Sequence, residues 1–402
     1  MTSRRLVILL VVTALFRSSQ NMALTTLSLL GHGDLHLSSG TIGVLGALAG
    51  LTLAGTTIFI AGRVPGRLAE RSAGVGLALV AAAIGIFAVA ASLGAMVLAT
   101  LLIGVGGGLA VPGLLNAVEH GDHANSERVI GLYTITLSVS LAAGPLLETL
   151  ILAATGEDLR APFIAFCALP LCGAAVLLWL SRSGSAGGLA EHRVPRRRGP
   201  LKALLASADG RRALIIQLLY AIPFAALTSF GALVGKEGFG VSASHTQLAF
   251  SGFFAASLAA RVFVSWRSPI ERKHPLLWGS ASLTVTGLVA LGTGHGLVAL
   301  LLAMAVLGIP HGLTFPLVLG LVAGASSRAD LPGANAALLG STNLTAVAVP
   351  PILGMIIPIV GYHHMVLLLI VPVVLLAGLF ALQRSTSSSA GTTAGRTVAA
   401  EG

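Results

Sequence analysis

The sequence predicts an all-α integral membrane protein in which twelve transmembrane helices form two six-helix halves. Of the 402 residues, 55% are hydrophobic and only 9% are charged, which is too little polar surface to cover a water-soluble core of this size. The apolar residues form runs of about 20, the length of a helix that spans a bilayer. A pattern of small residues in the first half also recurs in the second half.

Twelve apolar segments are long enough to span a membrane. They lie at 6–30, 41–62, 74–92, 95–117, 128–152, 161–181, 211–234, 244–266, 275–293, 297–320, 331–356 and 361–383. The first segment follows Arg4 and Arg5 and lacks a small-residue cleavage site, so we interpret it as a retained helix and not a signal peptide. The small, polar residues 385–402 are expected to form a disordered cytoplasmic tail.

Basic residues are distributed unevenly between the predicted loops. Loops on the side of the N-terminus hold nearly all of them, whereas Arg160 and Lys236 are the only basic residues expected on the other side. By the positive-inside rule, both termini face the cytoplasm and the protein is a multi-pass protein of the cell (inner) membrane. The same rule accounts for the net charge of +10, so we expect no nucleic-acid partner.

The longest hydrophilic stretch between predicted spans, 182–210, divides the chain into an N-terminal half (1–181) and a C-terminal half (211–384). It is expected to be a basic cytoplasmic linker. A repeat supports the division, since four residues of helix 4 return in helix 10 at a constant offset of 204: Gly104, Gly108, Leu109 and Pro112 match Gly308, Gly312, Leu313 and Pro316. Two related six-helix halves are typical of a transporter built from parallel repeats.

The turn between helices 2 and 3 concentrates charged residues in a chain that has few. It reads Gly66-Arg67-Leu68-Ala69-Glu70-Arg71. This segment resembles the G-x-L-[AS]-D-R signature of the major facilitator superfamily, with Glu70 in place of the usual Asp. The resemblance covers the whole chain and implies a secondary transporter that alternates between inward-open and outward-open states, without a cofactor.

The same turn has a physical use in such a transporter. A glycine at 66 lets two helices approach closely, and Glu70 can accept from an arginine or lie at the positive end of helix 3. We therefore predict that Gly66, Arg67, Glu70 and Arg71 form a cytoplasmic latch between the halves. The alternative is that these charges only satisfy the positive-inside rule.

Gly144-Pro145 in helix 5 is a second motif. Exporters of the superfamily commonly carry a Gly-Pro here within a longer glycine pattern, so the sequence is similar to that of drug:proton antiporters. The later glycines are replaced by Glu148 and Thr149, and helix 4 lacks the arginine that many exporters place before its glycine run. The alternative interpretation of Pro145 is a simple proline kink.

The resemblance also implies that helices 1, 4, 7 and 10 line a central cavity. Polar residues predicted to line it are Arg17, Gln20, Asn21, Asn116, Gln217, Tyr220 and His311. Arg17 lies near mid-span, where a charge costs about 2.5–3.5 kcal/mol, and Gln20 and Asn21 follow on the same helical face. Arg17 is thus predicted to contact an anionic or carbonyl group of the substrate, or else to bond backbone carbonyls structurally.

Two residues are candidates for proton coupling. Glu148 is the only carboxylate well inside a predicted span, and a carboxylate buried there can exchange a proton near neutral pH. His311 is the other candidate, although a lone histidine in an apolar helix is more often a packing residue. Arg261, in the cytoplasmic third of helix 8, is expected to snorkel towards the water.

The sequence favours a proton-coupled exporter of small amphipathic compounds. The alternative is an uptake permease for a small organic anion, suggested by Arg17. A receptor or enzyme is disfavoured by the repeat and by the lack of a catalytic constellation. The histidines and acids of 119–123 lack a recognised metal-site spacing, and no phosphate-binding loop for an ATP motor occurs. We therefore expect a monomer without metal, whose partners are a substrate, a proton and the bilayer.

Overall fold

A computed structural model describes residues 3–60, 64, 68–119, 126–183, 204–205, 207–267, 273–326 and 331–383. These residues are almost entirely helical. The first ten helices are α1 (Ser3–Gly33), α2 (Ser39–Phe59), α3 (Ala69–Val89), α4 (Leu93–Glu119), α5 (Ser126–Ala154), α6 (Ala161–Ser183), α7 (Ala208–Leu233), α8 (Ala243–Trp266), α9 (Lys273–Thr293) and α10 (Gly296–Ala325). A short π-helix, Val234–Gly238, continues α7.

The last helical segment contains two spans. It is helical over Leu331–Leu368 and again over 370–383, but Gly361 has φ 79° and ψ 171°, which is not helical. Its apolar stretch has 51 residues, and a straight helix of that length would measure about 76 Å, more than twice the hydrocarbon core. We therefore call the part before Gly361 α11 and the part after it α12.

Among the described residues, eleven helical segments are long and apolar enough to cross a membrane. Because the last of them is interrupted at Gly361 and is long enough to cross twice, the described part of the chain contains twelve candidate spans, which confirms the predicted all-α fold with two six-helix halves. Residues 184–203 of the linker and 384–402 of the tail lie outside the described residues. The predicted boundaries of the linker and tail therefore stay predictions.

The repeat found in the sequence corresponds to equivalent helix packing. Gly104 lets α4 approach α2, because a Cβ there would lie 2.7 Å from the carbonyl oxygen of Ala49. Gly308 does the same for α10 against α8, where a Cβ would meet the carbonyl group of Phe253. Each contact is six helices from its counterpart, so glycines at an offset of 204 residues serve the same close approach in both halves.

Two helix pairs bring the halves together, α2 with α11 and α5 with α8. We call the end of the bundle where α1 begins the terminal face and the end where α2 begins the opposite face. Near the opposite face α2 touches α11 through backbone, since a Cβ at Gly43 would lie 2.8 Å from the carbonyl carbon of Pro350. Further along, Gly50 lies against Ala346. The seam between the halves is therefore made largely by small residues.

Candidate functional site

A cavity of about 170 Å³ lies between the halves. It is lined by residues of α1, α2, α4, α7 and α11: Gln20, Leu24, Leu27, Ile42, Gly46, Ala49, Gly50, Leu53, Ile103, Gly104, Thr228, Ser229, Asn343 and Ala346. Most of these side chains are apolar, and only four carry a hydroxyl or amide. A surface of this kind suits a compound with an apolar body and few polar groups.

Gln20 is the one predicted cavity residue that lines this cavity. Its Oε1 accepts a hydrogen bond of 2.8 Å from Nη1 of Arg17, one helical turn away on α1. Gly107 of α4 leaves room for the amide, because a Cβ at that position would overlap Nε2 of Gln20. The cavity wall thus continues through Gln20 to the guanidinium of Arg17, as their spacing in the sequence suggests.

The other predicted cavity residues lie elsewhere in the bundle. Asn21 is half-buried on α1, and its Nδ2 has no hydrogen-bond partner among the described residues. Gln217 is buried on α7 and donates from Nε2 to Oγ1 of Thr342, 2.7 Å away on α11. Asn116 lies near the end of α4 at the terminal face. Their contact with substrate stays a prediction.

His311 lies in an aromatic cluster and does not line the cavity. Its ring centroid is 4.5 Å from that of Phe224, 5.0 Å from that of Phe253 and 5.3 Å from that of Tyr220. Its Nδ1 is 2.7 Å from the hydroxyl oxygen of Ser257 on α8. The ring is therefore held by packing and by one hydrogen bond at the junction of α7, α8 and α10.

Glu148 is fully buried where α5 meets α1. Oγ1 of Thr26 donates a short hydrogen bond to Oε1 of Glu148, and the other oxygen, Oε2, has no partner among the described residues. Nε2 of Gln247, on α8 of the other half, donates to the same Thr26 hydroxyl at 3.4 Å. A buried carboxylate is thereby connected through one hydroxyl to both halves of the protein.

Arg261 does not snorkel to the terminal face as expected. Its Nη1 donates to Oγ of Ser138 across the interface between the halves, at 3.0 Å. Arg261 lies five residues before the end of α8, whereas Ser138 lies twelve residues into α5. The side chain therefore points into the bundle. The expectation that it snorkels was wrong because the Ser138 hydroxyl, deeper in the bundle, is within hydrogen-bonding reach of the guanidinium.

At the terminal face, Glu70 forms an ion pair with Arg5. Nη2 of Arg5 lies 2.6 Å and Nε 3.0 Å from Oε1 of Glu70, which sits in the first turn of α3. Both residues belong to the N-terminal half, so this pair joins α1 to α3 and not one half to the other. Arg71 is exposed. Gly66 and Arg67 lie outside the described residues, and the latch between the halves stays a prediction.

Gly144 lets α5 approach α1 closely. A Cβ at Gly144 would lie 3.1 Å from the carbonyl oxygen of Ser18, whose hydroxyl donates to the carbonyl oxygen of Ser140. Pro145 follows inside the helix. The Gly-Pro motif therefore sits at a tight crossing one turn from Glu148.

A contact that sequence reasoning missed joins the halves at the opposite face. Glu157, just after α5, accepts from the backbone N–H of Ser244 at 2.9 Å and from the Ser244 hydroxyl, so it caps the start of α8. Burial alone would raise the pKa of the Glu157 carboxyl, but these hydrogen bonds and those from the neighbouring residues of α8 outweigh it and lower the pKa. In the sequence, Glu157 follows a glycine in a polar turn, and nothing there indicates that its partner, Ser244, is 87 residues away.

Comparison with known proteins gives the family. The family described as Major Facilitator Superfamily matches residues 6–246 and 213–400, which together cover nearly the whole chain. The chain belongs to the major facilitator superfamily. It is therefore a multi-pass secondary transporter that acts on a small molecule, and its family points to a transporter and not to an enzyme. No curated protein sequence matches the chain.

Solved structures of superfamily transporters share its fold. A bacterial homologue of the human lysosomal transporter Spinster, inward-facing and unoccupied, superposes with TM-score 0.76 at 14% identity, covering 96% of this chain and 97% of that chain. The nucleoside transporter NupG gives 0.74 at 16% identity, with coverage of 95% and 99%. A POT family transporter in complex with 5-aminolevulinic acid gives 0.74 at 14% identity, with 95% and 96%. These identities show the fold alone.

The described residues show no group of three or more His, Cys, Asp or Glu side chains that could hold a metal ion. The histidines and acids of the 119–123 stretch lie in or beside 120–125, which is outside the described residues. The two cysteines, Cys167 and Cys172, are free.

Proposed function

We propose that this protein is a proton-coupled transporter that exports small amphipathic compounds by alternating access. The mostly apolar cavity between the halves supports an amphipathic substrate. The burial of Glu148 beside Thr26 and Gln247 is the observation that carries the coupling. The similarity of Gly144-Pro145 to the Gly-Pro motif of drug:proton antiporters favours export.

The hydrogen-bond donors and acceptors around Glu148 favour the protonated form of its carboxyl group. Two acceptor atoms there, Oε2 of Glu148 and Oε1 of Gln247, are buried without a donor among the described residues. A proton on Glu148 adds one donor to a cluster that has more acceptors than donors. It also removes a charge that no described cation neutralises, and an unpaired charge is costly in a buried site. Protonation therefore stabilises the arrangement in which the halves are closed around Glu148.

The position of this cluster suggests how the proton acts on the conformation. Thr26 and Glu148 belong to the N-terminal half and Gln247 to the C-terminal half, so the Gln247–Thr26 hydrogen bond breaks when α5 and α8 separate, whereas the Thr26–Glu148 bond stays within one half. Ionised Glu148 favours separation, because water then solvates the carboxylate. Protonated Glu148 favours closure. A group whose charge biases two conformations in this way couples a proton gradient to rocking.

We place the terminal face in the cytoplasm, by the positive-inside rule. The opposite face then contacts the outside, where protons are taken up in exchange for the exported compound. We further propose that the transporter acts as a monomer.

Reconstituted proteoliposomes test the proposal. A compound panel is first screened by counterflow, and any compound that exchanges is then driven by an imposed pH gradient. We expect Glu148→Gln to keep exchange, since glutamine still accepts from Thr26, and to lose gradient-driven accumulation. Glu237→Gln, which alters an exposed carboxylate at the opposite face, serves as the control. Gradient-driven accumulation by Glu148→Gln at the wild-type rate contradicts the assignment.

Uptake of a small organic anion is the second candidate function, and Arg17 favours it. The same vesicles decide the direction. Accumulation driven by an inward proton gradient in right-side-out vesicles supports uptake, whereas extrusion under that gradient supports export.

A further inference from the structure

Two arginines, one from each half, lie at the same level of α5. Arg17 of α1 directly precedes Ser18, whose hydroxyl donates to the carbonyl oxygen of Ser140, and Arg261 of α8 donates to the hydroxyl of Ser138, two residues earlier on α5. Arg261 follows Ser257 by one helical turn, and the hydroxyl of Ser257 contacts Nδ1 of His311, so Arg261 lies next to the junction of α7, α8 and α10. One half of the protein thus supplies one guanidinium and the other half supplies the second.

No described carboxylate neutralises either charge. Each guanidinium makes one hydrogen bond to a neutral oxygen, Arg17 to Gln20 and Arg261 to Ser138. Nε of both side chains is buried with no acceptor among the described residues. Two like charges repel each other more strongly inside a protein than in water, and an unfilled guanidinium donor adds a further cost. The pair therefore lowers the stability of the empty protein.

We propose that Arg17 and Arg261 together bind an anionic group of the transported compound. A carboxylate, sulfonate or phosphate between them satisfies both guanidiniums, whose planar donors match the paired oxygens of such groups. This proposal rests on the proposed function in one respect: it takes the anion to be part of the transported compound. The substrate class becomes amphipathic organic anions.

The cavity and the arginine pair can hold the two parts of one such molecule. Gln20 lines the cavity and also accepts from Arg17, so the polar site adjoins the apolar wall formed by Leu24, Leu27 and Ile103. When the apolar part of the molecule occupies the cavity, its anionic end lies next to Arg17. Because the second arginine belongs to the other half, the bound anion draws α1 and α8 together, and its release lets them separate.

Purified full-length protein in a neutral detergent tests this inference without transport. The probes are 4-phenylbutyrate, 3-phenylpropane-1-sulfonate and 3-phenylpropyl phosphate, each compared with 4-phenylbutanamide and 4-phenylbutylamine. Phosphatidylglycerol is added as a separate arm, since a lipid headgroup presents the same anionic chemistry. Thermal unfolding and equilibrium dialysis are measured for wild type, Arg17→Gln, Arg17→Lys and Arg261→Gln. Arg267→Gln, an exposed arginine at the end of α8, is the matched control.

We expect at least one small anion to raise the melting temperature of the wild type while the amide and amine with the same body do not. Either Arg→Gln change should weaken that binding about tenfold or more, as the loss of a charged hydrogen-bond donor implies. Arg17→Lys should weaken it less, and Arg267→Gln not at all. The ligand-free melting temperature of Arg261→Gln should not fall, because the change relieves repulsion.

The inference is overturned if no small anion stabilises the protein, if the neutral amide stabilises it equally, or if only phosphatidylglycerol does. A lower ligand-free melting temperature with unchanged anion affinity in Arg17→Gln and Arg261→Gln also overturns it, since the arginines are then structural. Anion stabilisation that persists in Glu148→Gln separates the two proposals. In that case the anion site is supported even if Glu148 does not couple transport to protons.

Discussion

Glu157 of the N-terminal half caps the first turn of α8 in the C-terminal half, with Oε2 2.9 Å from the backbone N–H of Ser244. The exposed N–H groups and positive dipole end of a helix favour a carboxylate at this position. The contact closes the opposite face in this conformation. Because it lies at the rim of the interface, it can break without disturbing the core of either half.

The Glu157 contact should depend on pH. Since the pKa of this carboxyl is lowered in the closed arrangement, the contact is at full strength above the ordinary glutamate pKa. It weakens as the pH falls through the lowered pKa. Spin labels at His36→Cys and His245→Cys, in a variant without Cys167 and Cys172, should report a constant distance distribution between about pH 6 and 8, with a longer component appearing only at more acidic pH.

Glu157→Gln should show the longer component already at pH 7. Asp158→Asn, which alters the exposed neighbouring carboxylate, should not. A distribution in Glu157→Gln that is indistinguishable from wild type at every pH would remove the capping contact from the closing mechanism.

The Arg5–Glu70 pair should affect transport more than stability. Because the Arg5 side chain is 43% exposed and water screens the pair from that side, although Glu70 is buried, we expect Arg5→Gln or Glu70→Gln to change the free energy of unfolding by about 1 kcal/mol. Transport should slow if the terminal faces of α1 and α3 move as one unit. Arg71→Ala should slow it as well if the predicted latch exists.

Expression, melting temperature and initial transport rate are measured together. The reversed pair, Arg5→Glu with Glu70→Arg, should recover part of the rate, whereas Arg4→Gln should leave it unchanged. Wild-type rates in Glu70→Gln and Arg71→Ala at equal expression would disprove a role for this cluster in rocking.

Gly308→Ala should destabilise the protein by about 1–3 kcal/mol, because the new methyl group meets the backbone carbonyl of Phe253 and α10 must move away from α8. Gly252→Ala on α8 adds the same methyl group into open space and serves as the control. The melting temperature in detergent distinguishes them. Equal melting temperatures would show that the two helices are not held as closely as the structure places them.

Gly107→Ala should change the site and leave the fold largely intact. The added methyl group meets the amide end of Gln20, which is flexible and can turn aside. Turning aside breaks the hydrogen bond to Arg17 and reshapes the cavity wall. We expect severalfold weaker exchange of a substrate in counterflow with a melting temperature near that of wild type. The opposite result, intact exchange with a large loss of stability, would mean that Gln20 is held rigidly by the fold.

His311→Gln should leave the dependence on a pH gradient intact, because the proton is assigned to Glu148. Glutamine can keep a hydrogen bond to Ser257 but loses the ring that packs on Phe224 and Phe253. The melting temperature should fall because that packing is lost, and the ratio of transport with and without the gradient should not change. Loss of that ratio in His311→Gln, but not in Glu148→Gln, would transfer the proton role to His311.

The sequence predicted the features that depend on neighbouring residues in the chain. Helix number follows from apolar length, and the Arg17–Gln20 hydrogen bond follows from a spacing of three on one helix. The repeated glycines of helices 4 and 10 also pack as their constant offset suggests. These are local or periodic properties, which a single chain displays directly.

Contacts between distant segments were not predictable in the same way. Arg261 was expected to reach water because it lies near a helix end, and only the packing of α8 on α5 shows that it reaches Ser138. Gln247 carries no motif, and its link to Glu148 depends on the docking of one half on the other. His311 was predicted from the position of its helix, and the aromatic rings around it come from α7 and α8, which the sequence of α10 does not show.

The close backbone contact between Gly43 and Pro350 can be used to trap one conformation of the protein. Where two helices meet without side chains between them, a single methyl group acts as a wedge whose effect is confined to one of the two conformations. Gly43→Ala should therefore be tolerated when the opposite face is open and excluded when it is closed. Such a variant would enrich the conformation in which the opposite face is open, for antibody selection or electron microscopy, with no ligand needed to hold it there.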